Sequence, residues 1–273
     1  MINLPRSSYY YKQKGTQSDD QELIKRIEEI IEEFPGYGYR RVTRQLHREH
    51  IQVNHKKVLR IMQERSLTRK RKRRFIRTTN STHSYRVYPN LLKNRSVTVL
   101  NQVWAADITY IRIMTAFVYL AVILDLFSRK AIGYCISRSL DTPLCLSALH
   151  MALKSRHPPQ GVIHHSDRGV QYASREYVTL LRSHKFLISM ARKGNPFDNA
   201  TAESFIKTLK TEEIYLWEYQ TLADVQKRLP YFIEQVYNQK RLHSSLGYRP
   251  PNEFEQIFLS TRQPKLSCLA TLD

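Results

Sequence analysis

The sequence predicts an α/β protein, in which a mixed sheet flanked by helices follows a small all-helical domain. Before residue 66, apolar residues recur at helical spacing. After residue 101, segments rich in β-branched and aromatic residues are followed by alternating helical and extended ones. At about 150 residues per domain, the 273-residue chain is long enough for two domains.

The helical region, residues 1–66, is predicted to contain three short helices. The first ends at Pro35-Gly36, and the third begins after Asn54 as its N-cap. The third helix is expected to bury its apolar face and to expose its basic residues, which are Lys56, Lys57, Arg60 and Arg65. A basic last helix favours helix-turn-helix DNA binding. A helical bundle that only supports the next domain is the alternative.

The charge of the chain indicates a polyanionic partner. The formal net charge is +20, and the first 100 residues contribute 23 basic and 9 acidic residues, a net charge of +14. Residues 67–98 are predicted to form a basic linker, in which nucleic-acid contact is favoured over a solvated helix end because of the charge density. The candidate DNA contacts in this linker are Arg69, Lys70, Arg71, Lys72, Arg73 and Arg74.

The second half of the chain contains the predicted sheet. Three segments are expected to form an antiparallel meander: Gln102–Arg112, Phe117–Asp125 and Lys130–Ser137. The elements after the meander are expected in the order helix 142–156, strand 162–165, helix 174–184, strand 186–190 and a further long helix. This order predicts a five-stranded mixed sheet with helices on its faces.

Three carboxylates of this half are candidate metal ligands. Asp107 lies inside the first strand, Asp167 follows the strand that ends at residue 165, and Glu203 lies early in a helix. Three acidic groups in one site repel each other unless a divalent cation compensates them. Carboxylate and water ligands suit Mg²⁺, with Mn²⁺ as a substitute. Asp125, at a strand end, is a rival acid that spacing alone does not exclude.

Basic residues accompany these acids. Lys207 and Lys210 share a helix with Glu203, and Lys210 lies on nearly the same line of that helix as Glu203. Together with Arg192 and Lys193 they are candidate phosphate contacts. A surface ion pair is the alternative for Glu203 and Lys207. His165 and Tyr172 are candidates for positioning DNA or a metal ligand, and a structural role is the alternative for both.

The motifs that carry these residues resemble a known family. They read Trp104-x-x-Asp107-Ile-Thr-Tyr, His165-Ser-Asp167-x-Gly169-x-Gln-Tyr172 and Asn195-x-x-Asp-Asn-Ala-x-Ala-Glu203, with 35 residues between Asp167 and Glu203. In this order and spacing the chain resembles the DDE transposases, specifically the catalytic reading frame of the insertion-sequence-three family in the retroviral integrase superfamily. The ending Tyr237-Asn-x-x-Arg241-x-His243 is similar to the C-terminal signature of that family.

The resemblance implies a ribonuclease-H-like catalytic core, here placed at residues 99–216, followed by a C-terminal helix and tail at residues 217–273. It implies that Asp107, Asp167 and Glu203 hold two Mg²⁺ ions, cleave transposon ends by hydrolysis and join a 3′-hydroxyl to DNA. The implied partners are double-stranded DNA, further copies of the chain, and the product of an upstream reading frame as a fusion or partner. A non-catalytic DNA-binding regulator and a nuclease that cuts without joining are the alternatives.

Several other functions are excluded or disfavoured by the sequence. The longest apolar run, Ala116 to Leu124, is shorter than the roughly 20 residues that a membrane-spanning helix needs. The chain has neither an ATP-binding Gly-Lys-Ser/Thr loop nor a Gly-x-Ser-x-Gly hydrolase elbow. Three cysteines at wide spacing favour reduced thiols. We therefore expect a cytoplasmic, nucleoid-associated bacterial protein without a membrane partner.

Overall fold

A computed structural model describes residues 17–68, 85–93, 95–192 and 199–261. The chain divides into two compact units, Met1–Arg71 and Lys72–Asp273, which are described separately below. Six of the basic residues assigned to the linker, Arg69 to Arg74, lie outside the described residues, as does Lys193. The functional division at residues 66, 98 and 216 stays a prediction.

The first unit contains three helices: α1 (Gln17–Glu33), α2 (Tyr39–Arg48) and α3 (His55–Glu64). Ile27, Leu46 and Val58, one from each helix, are fully buried and form the centre of a small core. Asn54 caps α3 as predicted, because its side-chain oxygen accepts a hydrogen bond from the Lys56 amide at 2.8 Å. The all-helical, helix-turn-helix-like region expected from the sequence is therefore confirmed.

The second unit is built on a five-stranded mixed sheet with the order β3-β2-β1-β4-β5. Its strands are β1 (Val103–Arg112), β2 (Phe117–Asp125), β3 (Ala131–Ser137), β4 (Ile163–Ser166) and β5 (Leu187–Met190). The first three are antiparallel, whereas β4 pairs in parallel with both β1 and β5. This is the ribonuclease-H-like sheet that the resemblance implied.

Helices cover both faces of this sheet. They are α4 (Thr142–Arg156), α5 (Val170–Ala173), α6 (Arg175–Ser183), α7 (Ala200–Glu212), α8 (Leu222–Tyr231) and α9 (Pro251–Ser260). Trp104 and Ala106 of β1 pack with α4 and α6 on one face, and Ala105 and Ile111 pack with α7 and α8 on the other. The alternation of β1 between two buried faces fixes which side chains can reach α7.

Two elements differ from the sequence expectation. The short helix α5 precedes α6, and a π-helical segment, Phe232–Asn238, continues directly from α8. Pro230 lies in the last turn of α8 and has no amide to donate to the preceding turn. The helix type changes two residues after this proline. Among the described residues, no helix is long and apolar enough to cross a membrane.

Gly133 in β3 allows α4 to pack closely on the sheet. A Cβ atom at this position would lie 2.8 Å from the Cβ of Ala152 and still closer to the carbonyl oxygen of Ala148. We expect Gly133→Ala to lower the free energy of unfolding by about 1–3 kcal/mol through overpacking. Urea denaturation measures this loss. Gly38→Ala is the control, because no atom lies within 4 Å of a Cβ built there, and an equal loss in both variants would contradict the prediction.

Candidate active site

The parallel register of β1 and β4 brings Asp107 and Asp167 together. Ala105 pairs with His165, and extending this register by two residues places Asp107 opposite Asp167, just beyond the end of β4. Adjacent strands lie about 4.8 Å apart, and residues two apart point to the same face. The structure thus explains why the two motifs meet at one point of the sheet.

The glycine that follows Asp167 fixes its carboxylate. The Gly169 amide donates a hydrogen bond to Asp167 Oδ1 at 2.8 Å. A Cβ atom on Gly169 would lie 2.9 Å from the same oxygen, which is too close for any larger residue without a shift. The Asp-x-Gly spacing of the motif is therefore required by the close approach of this backbone to the carboxylate.

Glu203 lies in the first turn of α7, and two hydrogen bonds hold that turn against the sheet. Asn199, the N-cap residue, donates from Nδ2 to the carbonyl oxygen of Ala106 at 3.3 Å. Arg129, which follows β2, donates from Nη1 to Thr201 Oγ1 at 2.7 Å. Because Ala106 immediately precedes Asp107, the Asn199 contact couples the position of Glu203 to that of Asp107.

The surroundings of Asp107 compensate its negative charge only in part. Asp107 is half-buried, and its pKa is raised to about 8, first by loss of solvation and then by the negative charge of Asp167, with Glu203 adding a smaller effect. Burial also raises the pKa of Glu203. Carboxylates arranged in this way favour a proton or a cation in their midst.

Lys210 on α7 interacts with this site. Its Nζ lies 4.4 Å from the centroid of the Tyr110 ring, and its charge interacts favourably with Asp107. Burial lowers the pKa of this lysine, and Asp107 partly offsets that effect. Lys207, three residues earlier on α7, is exposed. That Lys207 and Lys210 contact phosphate beside Glu203 stays a prediction.

The carboxylates of Asp107, Asp167 and Glu203 are ligands of the kind that a divalent cation prefers. In this structure, however, the three carboxylates do not surround a single point. Among the described residues, no group of three or more His, Cys, Asp or Glu side chains is arranged to hold a metal ion. Asp107 and Asp167 are juxtaposed by the sheet, whereas Glu203 is exposed on α7. A metal would compensate the charges that raise the pKa of Asp107. The residues therefore fit the group, and assigning it to them remains a proposal.

Asp125, the rival acid, has a structural role instead, because backbone amides donate hydrogen bonds to both of its carboxylate oxygens. It is fully buried, and Oδ1 accepts hydrogen bonds from the amides of Phe127 and Ser128 at 2.9 and 3.0 Å. Oδ2 accepts from the Asn101 amide at 2.6 Å. Asp125 thus closes the turn between β2 and β3 and ties it to the start of β1.

His165 and Tyr172 are buried in the described structure. His165 Nδ1 lies 2.8 Å from the hydroxyl of Ser189 on β5, and Tyr172 is enclosed between the sheet and the helices. Neighbouring His164 contacts the Tyr177 hydroxyl at 2.9 Å, and burial lowers its pKa to about 3. These contacts favour the structural role that the sequence left open for His165 and Tyr172.

The C-terminal signature supports the helix that carries Glu203. Arg241 donates hydrogen bonds from Nε and Nη2 to the two carboxylate oxygens of Glu212, at the end of α7, at 2.6 and 2.7 Å. The Tyr237 ring packs edge-on against Phe205 of α7 with centroids 4.7 Å apart. The sequence singled out this motif without assigning it a role, and the structure indicates that it holds α7 in place.

The other basic candidates have varied surroundings. On α3, Lys56 is exposed, whereas Lys57 forms an ion pair with Asp20. Arg60 is exposed and lies 3.7 Å from Glu64. Arg192 is exposed after β5. No structural contact tests whether any of these residues meets DNA, so their roles stay predictions.

The raised pKa of Asp107 predicts a pH dependence of the metal-free protein. Between pH 4 and pH 8 the folded chain holds a proton on Asp107 that the unfolded chain has lost, so stability falls as pH rises through this window. We expect Asp107→Asn to flatten this fall and to raise the free energy of unfolding at pH 8 by about 1 kcal/mol. Urea denaturation at pH 5 and pH 8, with a chelator present, measures it. A lower free energy of unfolding for Asp107→Asn than for the wild-type chain at pH 8 would contradict the raised pKa of Asp107.

Comparison with known protein families places this fold and site in a class. The family described as "Integrase core domain" matches residues 99–196, and a second family of the same description matches residues 184–251. The family described as "HTH-like domain" matches residues 18–75. The second half of the chain is therefore an integrase core, and an HTH-like domain precedes it.

Full-length relatives specify the family. The chain is 37% identical over 264 residues to the "Insertion element IS600 uncharacterized 31 kDa protein" of Shigella sonnei, covering 94% of this chain and 97% of that protein. It is 36% identical to the "Transposase for insertion sequence element IS904" of Lactococcus lactis subsp. lactis (strain IL1403), covering 90% and 98% of the two chains. It is 37% identical to the "Transposase InsF for insertion sequence IS3A" of Escherichia coli (strain K12), covering 80% of this chain and 76% of that protein. The chain belongs to the family of transposases of IS3-type insertion sequences.

Solved structures of integrases are also similar. The catalytic core of HTLV-2 integrase in complex with magnesium (dimeric form) is 17% identical, with a TM-score of 0.42, covering 56% of this chain and 94% of that chain. The catalytic core domain of BIV integrase is 16% identical, with a TM-score of 0.45, covering 61% of this chain and 99% of that chain.

Proposed function

We propose that this chain is a metal-dependent DNA transposase that cleaves the ends of an insertion sequence and joins their 3′-hydroxyls to DNA. The observation that carries the proposal is the juxtaposition of Asp107 and Asp167, with the pKa of Asp107 raised to about 8 by burial and by the charge of Asp167. Membership of a family whose relatives are named transposases supports the same reaction class. The acids would bind Mg²⁺, or Mn²⁺ in its place.

The proposed chemistry needs no covalent protein intermediate and no energy source. In cleavage, a water oxygen bonds to phosphorus, the bond to the 3′-oxygen breaks, and that oxygen takes a proton to become a 3′-hydroxyl. In joining, the 3′-hydroxyl loses its proton and bonds to a target phosphorus, while the bond from that phosphorus to the target 3′-oxygen breaks and that oxygen takes a proton to become a new 3′-hydroxyl. Bound Mg²⁺ would stabilise the attacking and leaving oxygens. Asp107, Asp167 and Glu203 would hold it, and Lys210 would attract the phosphate.

DNA binding is assigned to residues on both units. Lys56 and Arg60 on α3, with Lys57, would contact the duplex through the HTH-like domain. Arg192 and Lys207 would contact phosphates near the carboxylates, together with Lys193 and the basic residues 69–74. Two transposon ends have to meet during transposition, so we propose that the chain acts as an oligomer on bacterial DNA. An upstream reading-frame product as partner stays a prediction.

One assay tests the proposed function. The purified chain is incubated with a labelled duplex that carries the terminal repeat of its own element, with Mg²⁺ or with a chelator. We expect shorter, cleaved products and longer, joined products with Mg²⁺ alone. Binding without any change in the DNA backbone would favour a non-catalytic regulator. Cleaved products that are never joined would restrict the activity to a nuclease.

A further inference from the structure

A group of exposed aromatic residues follows directly after α7. Tyr215 is 55% exposed and Trp217 is 51% exposed. Tyr110, on β1, is partly exposed, and its ring lies beneath the ammonium group of Lys210 on α7. We refer to Tyr110, Tyr215 and Trp217 as the aromatic surface. Exposed clusters of large apolar side chains are uncommon on monomeric proteins and mark sites of interaction.

Each end of the aromatic surface carries a cation. Lys210 Nζ lies 4.4 Å from the Tyr110 ring centroid, and the guanidinium carbon of Arg228 lies 3.7 Å from the Trp217 ring centroid. Glu213 holds the Arg228 guanidinium in this position, since Arg228 Nε donates to Glu213 Oε1 at 2.8 Å. One face of the Trp217 indole is thus covered by a fixed cation, and the residue is still half exposed.

The aromatic surface is continuous with the candidate active site. Lys210, whose ammonium lies over Tyr110, also interacts with the Asp107 carboxylate. Tyr215 and Trp217 follow the same helix, α7, that carries Glu203 near its start. Glu203 and the end of α7 are about 14 Å apart along the helix axis. A DNA strand whose phosphate reaches the carboxylates and which continues along α7 would therefore bring bases a few nucleotides away to these rings.

We propose that the aromatic surface binds unpaired nucleobases of the DNA strand on which the carboxylates act. Aromatic rings interleaved with basic side chains are the combination that single-stranded nucleic acid requires, because each base can stack on a ring while cations follow the phosphates. Lys207 and Lys210, both on the helix that leads to these rings, add positive charge, which favours a polyanionic strand over a protein partner. This inference rests on the proposed function, because it assigns the DNA strand beside the same site.

The two tryptophans of the chain make this inference directly measurable. The chain contains two tryptophans, and Trp104 is fully buried in the core. Quenching of tryptophan fluorescence by a stacked base would therefore report on Trp217. We expect a single-stranded oligo(dT) 12-mer to quench the fluorescence saturably, and an abasic 12-mer with the same phosphates to quench it little. Absence of quenching, or equal quenching by both oligonucleotides, would overturn the proposal.

Matched variants separate stacking from simple apolar contact. By anisotropy of a labelled oligo(dT) 12-mer, we expect Trp217→Leu to weaken binding about 10-fold and Trp217→Phe to weaken it less than about 3-fold. Leu259→Ala is the control, because Leu259 is 52% exposed on α9. Unchanged affinity in Trp217→Leu would overturn the proposal. Loss of oligomers in Trp217→Ala with unchanged oligonucleotide affinity would also overturn it and would assign the surface to a second copy of the chain.

The failure of this inference is distinguishable from failure of the proposed function. If the chain joins DNA with Mg²⁺ and no quenching occurs, only the base-binding surface is overturned. If base-dependent quenching occurs and the DNA backbone never changes, the aromatic surface is supported as a DNA-binding surface, whereas the transposase reaction fails.

Discussion

Asp107→Asn, Asp167→Asn and Glu203→Gln are each expected to lower the rate of DNA strand transfer at least about 1,000-fold, equivalent to about 4 kcal/mol of barrier. Each substitution removes a negative charge from the proposed metal site while preserving side-chain size. Without that charge the chain loses the cation that stabilises the reacting oxygens. Gel analysis of joined products from a labelled transposon end measures the effect.

Binding of duplex DNA by the same three variants is expected to change less than about 2-fold, because these acids contribute no attraction to phosphate. Glu176→Gln is the control, since Glu176 is an exposed acid on α6 away from the motifs. We expect it to retain wild-type strand transfer. Strand transfer at the wild-type rate in any one of the three site variants would remove that residue from the site.

Arg241→Ala is expected to lower the free energy of unfolding by about 3–5 kcal/mol, because it leaves a buried carboxylate without its cation. The Arg241 and Glu212 side chains are 3% and 8% exposed, and two hydrogen bonds of 2.6 and 2.7 Å join them. Their pairing anchors the end of α7, so the variant is also expected to reduce strand transfer. Thermal and urea denaturation measure the loss of stability.

A surface arginine provides the comparison. Arg249 lies 3.8 Å from Glu253 in a solvent-exposed pair, and Arg249→Ala is expected to cost less than about 1 kcal/mol. Replacing both members of the buried pair, as Arg241→Met with Glu212→Gln, is expected to recover part of the stability because no charge remains buried. Equal losses in Arg241→Ala and Arg249→Ala would show that the signature has no role in holding α7.

Much of the sheet could be predicted from local pattern. The segment Phe117–Asp125 is a strand with the predicted bounds, because apolar β-branched and aromatic residues are continuous along it. The start of α3 follows from Asn54, whose capping is a local interaction. The ribonuclease-H-like fold itself required the motifs, since strand order depends on pairings that periodicity does not specify.

The contacts that organise the site depend on tertiary structure and were not visible in the sequence. Asn199 meets the Ala106 carbonyl across 93 residues, and no local pattern indicates that pairing. Asn199 does lie within the motif that ends at Glu203. The sequence therefore marked this residue but did not indicate its hydrogen-bond partner. Spacing alone did not exclude Asp125 as a rival to Asp107. The register of β1 with β4 places Asp107 beside Asp167, whereas backbone amides hold Asp125 in a buried turn.

The surroundings of α3 show a similar limit. The pattern predicted four exposed lysines and arginines, and Lys56, Arg60 and Arg65 are exposed. Lys57 is partly buried and paired with Asp20 of α1. Helical periodicity predicts on which face of its own helix a residue lies. Whether a charged residue on that face forms an ion pair depends on the neighbouring helix, which periodicity does not place.

The central claim is that Asp107, Asp167 and Glu203 bind the divalent ion on which the chemistry depends. Calorimetric titration of Mg²⁺ into the chain bound to its terminal-repeat duplex tests this claim most directly. The account predicts saturable Mg²⁺ binding by the wild-type chain and by Glu176→Gln, and at least about 10-fold weaker binding by Asp167→Asn. Equal Mg²⁺ binding by the wild-type chain and Asp167→Asn, or no binding by either, would contradict it.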